Sequence, residues 1–209
     1  MTMVKICGIT GEEDGLTAAE AGADLLGFVF YPPSPRGIDP QRATRIISAV
    51  SRAGYAVQFV GVFVDERESY VQEVAARCNL DYVQLHGSEP PQLVARLAQN
   101  GLSVIKGVRI AGKESLRELE RYSPHLYLLD SYLPGLPGGS GETFDWRVCL
   151  RAKHLGPFLL AGGLNPDNVA AAVRTVRPWG VDVSTGVESS PGHKDHAKMR
   201  RFIARAKGA

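Results

Sequence analysis

The chain has 209 residues, 44% of them hydrophobic and 22% charged, with a formal net charge of +2. That is enough for one sizeable core and short for two, and the charge is too small to argue for a nucleic-acid or lipid partner. No apolar run approaches the roughly 18 residues of a membrane helix, Met1-Thr2-Met3 leads straight into the first strand without a secretory leader, and three widely spaced cysteines argue for a reducing, cytoplasmic setting rather than a disulfide framework.

Taken in order, apolar strand-like runs alternate with amphipathic helical runs eight times. The first run, Val4–Cys7, stops at a thiol and turns at Gly8. Alternation puts Lys5 and Cys7 on one face and Val4 and Ile6 on the other. Thr10 and Glu13 have the spacing of a capping box, which predicts a helix from about Gly11. The following strands read Leu25–Tyr31, Phe59–Asp65, Tyr82–His86, Val104–Arg109, Leu126–Asp130, Phe158–Ala161 and Gly180–Ser184. Their Val, Leu, Ile and Phe content suits strands buried on both faces. Helices are expected at 12–22, 40–52, 66–78, 90–100, 113–122, 144–153, 167–176 and 195–207. Asp39-Pro40 and Asn165-Pro166 each set a capping side chain before a proline at the first helical position. Val71, Val74, Ala75 and Cys78 share one helical face, as do Met199, Phe202, Ile203 and Ala206. Cys78 and Cys149 therefore read as core.

Eight such units average about 26 residues each, close to the minimum for a single-domain (β/α)8 barrel, the TIM-barrel architecture, spanning 1–209. A doubly wound sheet would normally carry a Gly-x-Gly-x-x-Gly turn after its first strand, which Cys7-Gly8-Ile9-Thr10-Gly11 does not supply. The Pro/Gly-rich stretch Leu133–Gly141 reads as a loop after strand six.

In such a barrel the active site lies at the C-terminal ends of the strands. Those ends carry Cys7, the loop around Arg36, Asp65, His86, Arg109, Asp130, Gly162-Gly163 and Ser184-Thr185-Gly186. Loops after strands seven and eight commonly bind phosphate through backbone N–H groups, and glycines let backbone approach an oxyanion. Gly162, Gly163, Ser184, Thr185 and Gly186 are therefore phosphate-binding candidates. Period two sets Asp130 with Leu126 and Leu128, so it either works as a general acid raised by desolvation or caps the next loop. Cys7 is either a packed thiol or a base that needs a cation such as Lys5 beside it. Arg36, in a proline-stiffened loop, either pairs a substrate carboxylate bidentately or lies on the surface. His86, on the face of Gln84, hydrogen-bonds or shapes the rim. Five histidines in unrelated contexts give no metal spacing.

Several ordered segments carry a specific resemblance. They are Lys5–Thr10, Ser34-Pro35-Arg36, Val60–Val64, Val83–Gly87, Leu129-Asp130-Ser131, Gly138–Trp146, Ala161–Pro166 and Gly180–Glu188. In these the chain resembles the phosphoribosylanthranilate isomerases of tryptophan biosynthesis. The resemblance implies a cofactor-free Amadori rearrangement of N-(5-phosphoribosyl)anthranilate to 1-(2-carboxyphenylamino)-1-deoxyribulose 5-phosphate. It also implies Asp130 as general acid, Cys7 as general base, Arg36 facing the anthranilate carboxylate, and Gly162, Gly163, Ser184, Thr185 and Gly186 as the phosphate cradle. Lys5, His86, Gly139, Ser140, Gly141 and Asp182 are accessory candidates. The chain departs from the pattern at Gly37-Ile38, at Thr185, where serine is common, and in the proline- and glycine-rich run 132–137. Expected partners are a small phosphosugar and, as quaternary structure, a monomer or homodimer. The competing readings are another phosphosugar isomerase or epimerase, and a non-catalytic phosphometabolite-binding barrel.

Overall fold

A computed structural model describes residues 1–110, 113–130 and 146–209. Eight parallel strands close into a barrel in the order β1 to β8. They are β1 (Met3–Cys7), β2 (Leu25–Val29), β3 (Gln58–Phe63), β4 (Tyr82–Leu85), β5 (Val104–Arg109), β6 (Leu126–Asp130), β7 (Phe158–Ala161) and β8 (Gly180–Val183). Between them run α1 (Glu12–Glu20), α2 (Pro40–Arg52), α3 (Glu68–Cys78), α4 (Pro91–Gln99), α5 (Lys113–Leu119) and α6 (Val169–Val176), and α7 (His196–Lys207) follows the last strand. The expected sixth helix is instead a 3₁₀ run over Trp146–Leu155. Its opening residues Trp146, Val148 and Cys149 are weak α-helix formers.

The barrel divides each strand between two cores. Val4 and Ile6 face outward into the helical layer with Phe28, Ile46 and Phe202. Leu25, Val60, Ile105, Leu126, Leu128, Leu159 and Ala161 fill the interior. Leu126 and Leu128 point inward, so period two brings Asp130 to the inner mouth. β1 pairs β8 in register, with Lys5 opposite Asp182. Two neighbouring inward charges of opposite sign thus close the barrel seam.

Local signals held in part. Asp39 caps α2 by accepting from the Arg42 N–H at 2.8 Å. The expected capping box does not form: Gly11 is the N-cap of α1, without a side-chain bond. Thr10 Oγ1 instead donates to the Gly192 carbonyl at 2.7 Å, because a distant loop reaches that hydroxyl. Asn165 Oδ1 accepts from the Asp167 and Asn168 amides. This turn delays α6 to Val169. Cys78 and Cys149 are buried, as read from the sequence.

A two-stranded antiparallel sheet, β9 (Glu188–Ser190) with β10 (His193–Lys194), follows β8 and has no counterpart in the expected pattern. Strands of three and two residues are too short for periodicity to show. Among the described residues no helix is long and apolar enough to cross a membrane.

Candidate active site

Every candidate among the described residues lies at or just past the C-terminal end of a barrel strand, apart from Lys5 and Asp182, which lie one layer deeper in β1 and β8. Gly139, Ser140 and Gly141 lie outside the described residues.

Cys7 ends β1 and is 8% exposed. Its thiol sits beside Gly27, its register partner on β2. A Cβ built at Gly27 would stand 2.9 Å from Sγ and 3.1 Å from the Cys7 Cα, so glycine makes the space the thiol occupies. Below it, Lys5 is fully buried and donates to Asp182 Oδ1 at 2.8 Å. Burial works against the Lys5 charge, yet Asp182 and the neighbouring thiol hold its pKa above the ordinary value. Burial pushes Cys7 upward; Lys5 and Lys194 pull it down and Asp182 pushes it back up, and the net direction is up. The expected cation is present, but a lysine already neutralised by Asp182 does not by itself make a thiolate. The resting group is a thiol.

Arg36 reaches this side from the loop after β2. Its Nε and Nη2 donate to the two carboxylate oxygens of Glu188 at 2.7 and 2.6 Å. Glu188 also accepts from Lys194 Nζ at 3.0 Å, and Lys194 donates to the Ser184 carbonyl at 3.2 Å. Burial would raise the Glu188 carboxyl, but Arg36 and Lys194 hold it below its ordinary value. Lys194 itself is pulled down by burial, against Glu188.

The glycine loops after β7 and β8 meet. A Cβ on Gly186 would run into the Leu164 carbonyl, so only glycine allows that approach. Gly162 and Gly163 take φ of 89° and 63°, left-handed values that glycine adopts readily. Among the described residues the buried Ser184 hydroxyl oxygen has no hydrogen-bond partner. A buried hydroxyl without a partner is costly, and one on the loop after β8 suits an incoming oxyanion. Thr185 is exposed on the same loop.

Asp130 ends β6, three strands from β1 around the closed ring. His86, just past β4, brings Nε2 to 3.7 Å from Asp130 Oδ2. Gln84 Nε2 lies 2.9 Å from His86 Nδ1. With that amide donating, the ring proton sits on Nε2, facing the carboxylate. Asp65 and Arg109, also at strand ends, do other work. Asp65 accepts from the Ser88 amide at 2.7 Å and braces the loop after β4, and Arg109 is exposed. Glu188 and Lys194 are the groups sequence reasoning missed. Residues 189–194 carry no periodic signal in the sequence, so nothing there announces the hairpin that brings Lys194 to Glu188.

The family model described as N-(5'phosphoribosyl)anthranilate (PRA) isomerase matches residues 4–205. The chain belongs to this family. It is 52% identical over 207 residues to an N-(5'-phosphoribosyl)anthranilate isomerase of Geobacter metallireducens, covering 99% of this chain and 100% of the relative. A crystal structure of phosphoribosyl anthranilate isomerase from Thermotoga maritima superposes with a TM-score of 0.92 at 45% identity, with both chains fully covered. Another structure, of phosphoribosyl anthranilate isomerase in complex with reduced 1-(o-carboxyphenylamino)-1-deoxyribulose 5-phosphate, gives a TM-score of 0.89 at 42% identity, again over all of both chains.

Proposed function

We propose that this protein is a cytoplasmic N-(5'-phosphoribosyl)anthranilate isomerase, converting its substrate to 1-(2-carboxyphenylamino)-1-deoxyribulose 5-phosphate by an Amadori rearrangement in tryptophan biosynthesis. The observation that carries the proposal is the pairing, at one barrel mouth, of a buried thiol at the end of β1 with a strand-end carboxyl on β6. The paired glycine loops of β7 and β8 lie between them in the ring.

The sequence of events follows from these groups. The phosphate docks on the amides of Gly162, Gly163 and Gly186, with the Ser184 hydroxyl and Thr185 as further donors. The anthranilate carboxylate meets the guanidinium of Arg36. Asp130 gives its proton to the furanose ring oxygen, the C1–O bond breaks, and the nitrogen lone pair forms an iminium. The cation acidifies the C2 proton, which passes to the Cys7 sulfur as thiolate. The resulting enolamine tautomerises to the ketone; Cys7 gives its own thiol proton to solvent before it takes the C2 proton, which restores the thiol, and Asp130 recovers from solvent the proton it lost. The iminium is also a new positive charge near a thiol otherwise held neutral, so it favours the thiolate at the step that needs it. His86, with its Nε2 proton toward Asp130, stabilises the carboxylate once the acid has discharged.

The test is loss of anthranilate-type fluorescence when the protein is added to freshly made substrate. Folded protein that binds the phosphosugar without turning it over is a binding barrel, and the isomerase reading fails.

A further inference from the structure

The small sheet that follows the barrel holds two buried charges that the reaction above does not use. Glu188 and Lys194 are register partners across β9 and β10. Their side chains are 5% and 0% exposed. The hairpin is clamped on two sides. Gly192 lies so close to the loop carrying Arg36 that a Cβ there would stand 2.6 Å from the Pro35 carbonyl, and its own carbonyl accepts from Thr10, just past the Cys7 strand. A charged pair buried in so small an element is costly unless its geometry serves something.

The geometry of Arg36 says what. A guanidinium has five N–H donors in a planar fork. Glu188 takes the Nε–H and one Nη2–H. The stem of Arg36 passes over Gly8, where a Cβ would stand 2.7 Å from Cδ. Side chain and stem are thus both fixed, and among the described residues the edge formed by Nη1 and the second Nη2 proton has no partner, which leaves it to a ligand. Arg36, Glu188 and Lys194 together carry two positive charges and one negative. The surplus positive charge calls for one anion, and a planar fork suits a carboxylate.

We propose that Glu188 and Lys194 are positioning residues for recognition of the substrate's ring carboxylate: Glu188 holds Arg36 by one edge so that the other faces the ligand, and Lys194 ties Glu188 to the loop after β8. The proposal rests on the reading of Arg36 as the carboxylate-binding group. Specificity for an ortho-carboxylated aryl amine then comes from a three-residue device spanning the β2 loop and the terminal hairpin, rather than from one arginine. Lys194 also couples the carboxylate end of the site to the phosphate end, through the Ser184 carbonyl it holds at 3.2 Å.

The experiment compares two reduced ligands, 1-(o-carboxyphenylamino)-1-deoxyribulose 5-phosphate and the same compound made with aniline, which lacks the ring carboxyl. Their dissociation constants are measured with the unaltered protein and with Glu188→Gln, Lys194→Met and Arg36→Met. Glu188→Gln is expected to weaken the carboxylated ligand by about tenfold or more, the usual scale for a charge-assisted bond, and the other by less than about twofold. In turnover it raises KM and leaves kcat within a few-fold. Lys194→Met moves the same way by a smaller factor, and carries the test if the Gln variant does not fold. Equal weakening of both ligands means the hairpin is only structural and overturns the proposal. So does unchanged discrimination in Glu188→Gln and Lys194→Met while Arg36→Met loses it, and in that case the Arg36 reading stands. If Arg36→Met keeps its preference for the carboxylated ligand, that reading is itself wrong and the proposal falls with it.

Discussion

The two sides of the barrel mouth are built differently. On the side of β1 and β8, two sets of ion pairs, Lys5 with Asp182 and Arg36 with Glu188 and Lys194, have contacts of 2.6 to 3.0 Å, mostly out of solvent. On the side of β4 and β6, His86 and Asp130 stand 3.7 Å apart with side chains 29% and 19% exposed. The contrast fits the two proposed chemical tasks. A base that takes a proton from carbon needs a fixed, dry position, because carbon acids tolerate little misplacement. An acid must recover its proton each cycle, and a partly exposed carboxyl beside a histidine can do so from water. In the proposed reaction the β1 and β8 side supplies orientation and the β4 and β6 side supplies exchange.

The largest effects should come from removing either proton carrier. Cys7→Ala and Asp130→Asn are each expected to lower kcat by at least ~10²-fold, the usual size of a general acid or base contribution, with the fluorescence assay as readout. Undiminished turnover in either variant removes that residue from its role. Cys7 as thiolate also fixes the sign of the pH profile. Burial raises its pKa, so kcat/KM should climb as pH rises above neutrality. A profile that falls over that range points to a different base.

Next in size is the seam beneath the thiol. Lys5→Met strands Asp182 as a buried, unpaired charge, and should cost about 3–5 kcal/mol in denaturant unfolding. Adding Asp182→Asn should restore most of that stability. It should not restore the rate, since the cation that pulls the Cys7 pKa down is still gone and the alkaline rise moves to higher pH. Recovery of rate along with stability would show that Lys5 only supports the fold.

A smaller effect tests the Arg36, Glu188 and Lys194 set. Arg36 and Lys194 hold the folded Glu188 carboxyl below its ordinary value of 4.5. A depressed folded pKa contributes stability that is present above the unfolded value and lost as pH falls through the folded one. Glu188→Gln should therefore flatten the acid limb of the stability curve below about pH 5, measured by unfolding at stepped pH. An unchanged limb means that Arg36 and Lys194 do not hold this carboxylate as drawn.

The barrel and most of its mouth were legible in the sequence because both follow short-range rules. Strand runs such as Val104–Arg109, Leu126–Asp130 and Phe158–Ala161 matched residue for residue, since inner and outer faces of a parallel barrel are both apolar. Cys7, Asp130 and the two glycine loops could be placed at one mouth because a parallel barrel brings all its strand ends together. What escaped depends on contacts distant in the chain. Thr10 was assigned to its own helix and is taken by Gly192, 182 residues away. Glu188 pairs with Arg36 across 152 residues, from an element with too few residues to show a period. That Cys7 stays a thiol beside a lysine was also hidden, because the opposing charge of Asp182 enters only when β1 and β8 close the ring.

The smallest effect belongs to the open side. His86→Asn keeps a polar group beside Asp130 but removes the imidazole proton that faces it. Gln84, 1% exposed, fixes that ring from behind through Nδ1 at 2.9 Å. The ring itself is partly solvated, so the variant should change unfolding free energy by less than about 0.5 kcal/mol, as is usual away from a packed core. If His86 steadies the carboxylate after proton transfer, kcat falls by roughly three- to tenfold, well short of a full general acid–base contribution, and KM hardly moves. Gln84→Leu, which removes the amide that sets the ring proton, should reproduce part of that loss. A destabilisation of several kcal/mol in His86→Asn would mean that the acid side is as rigid as the base side. The difference between fixed base and exchanging acid would then have to be abandoned.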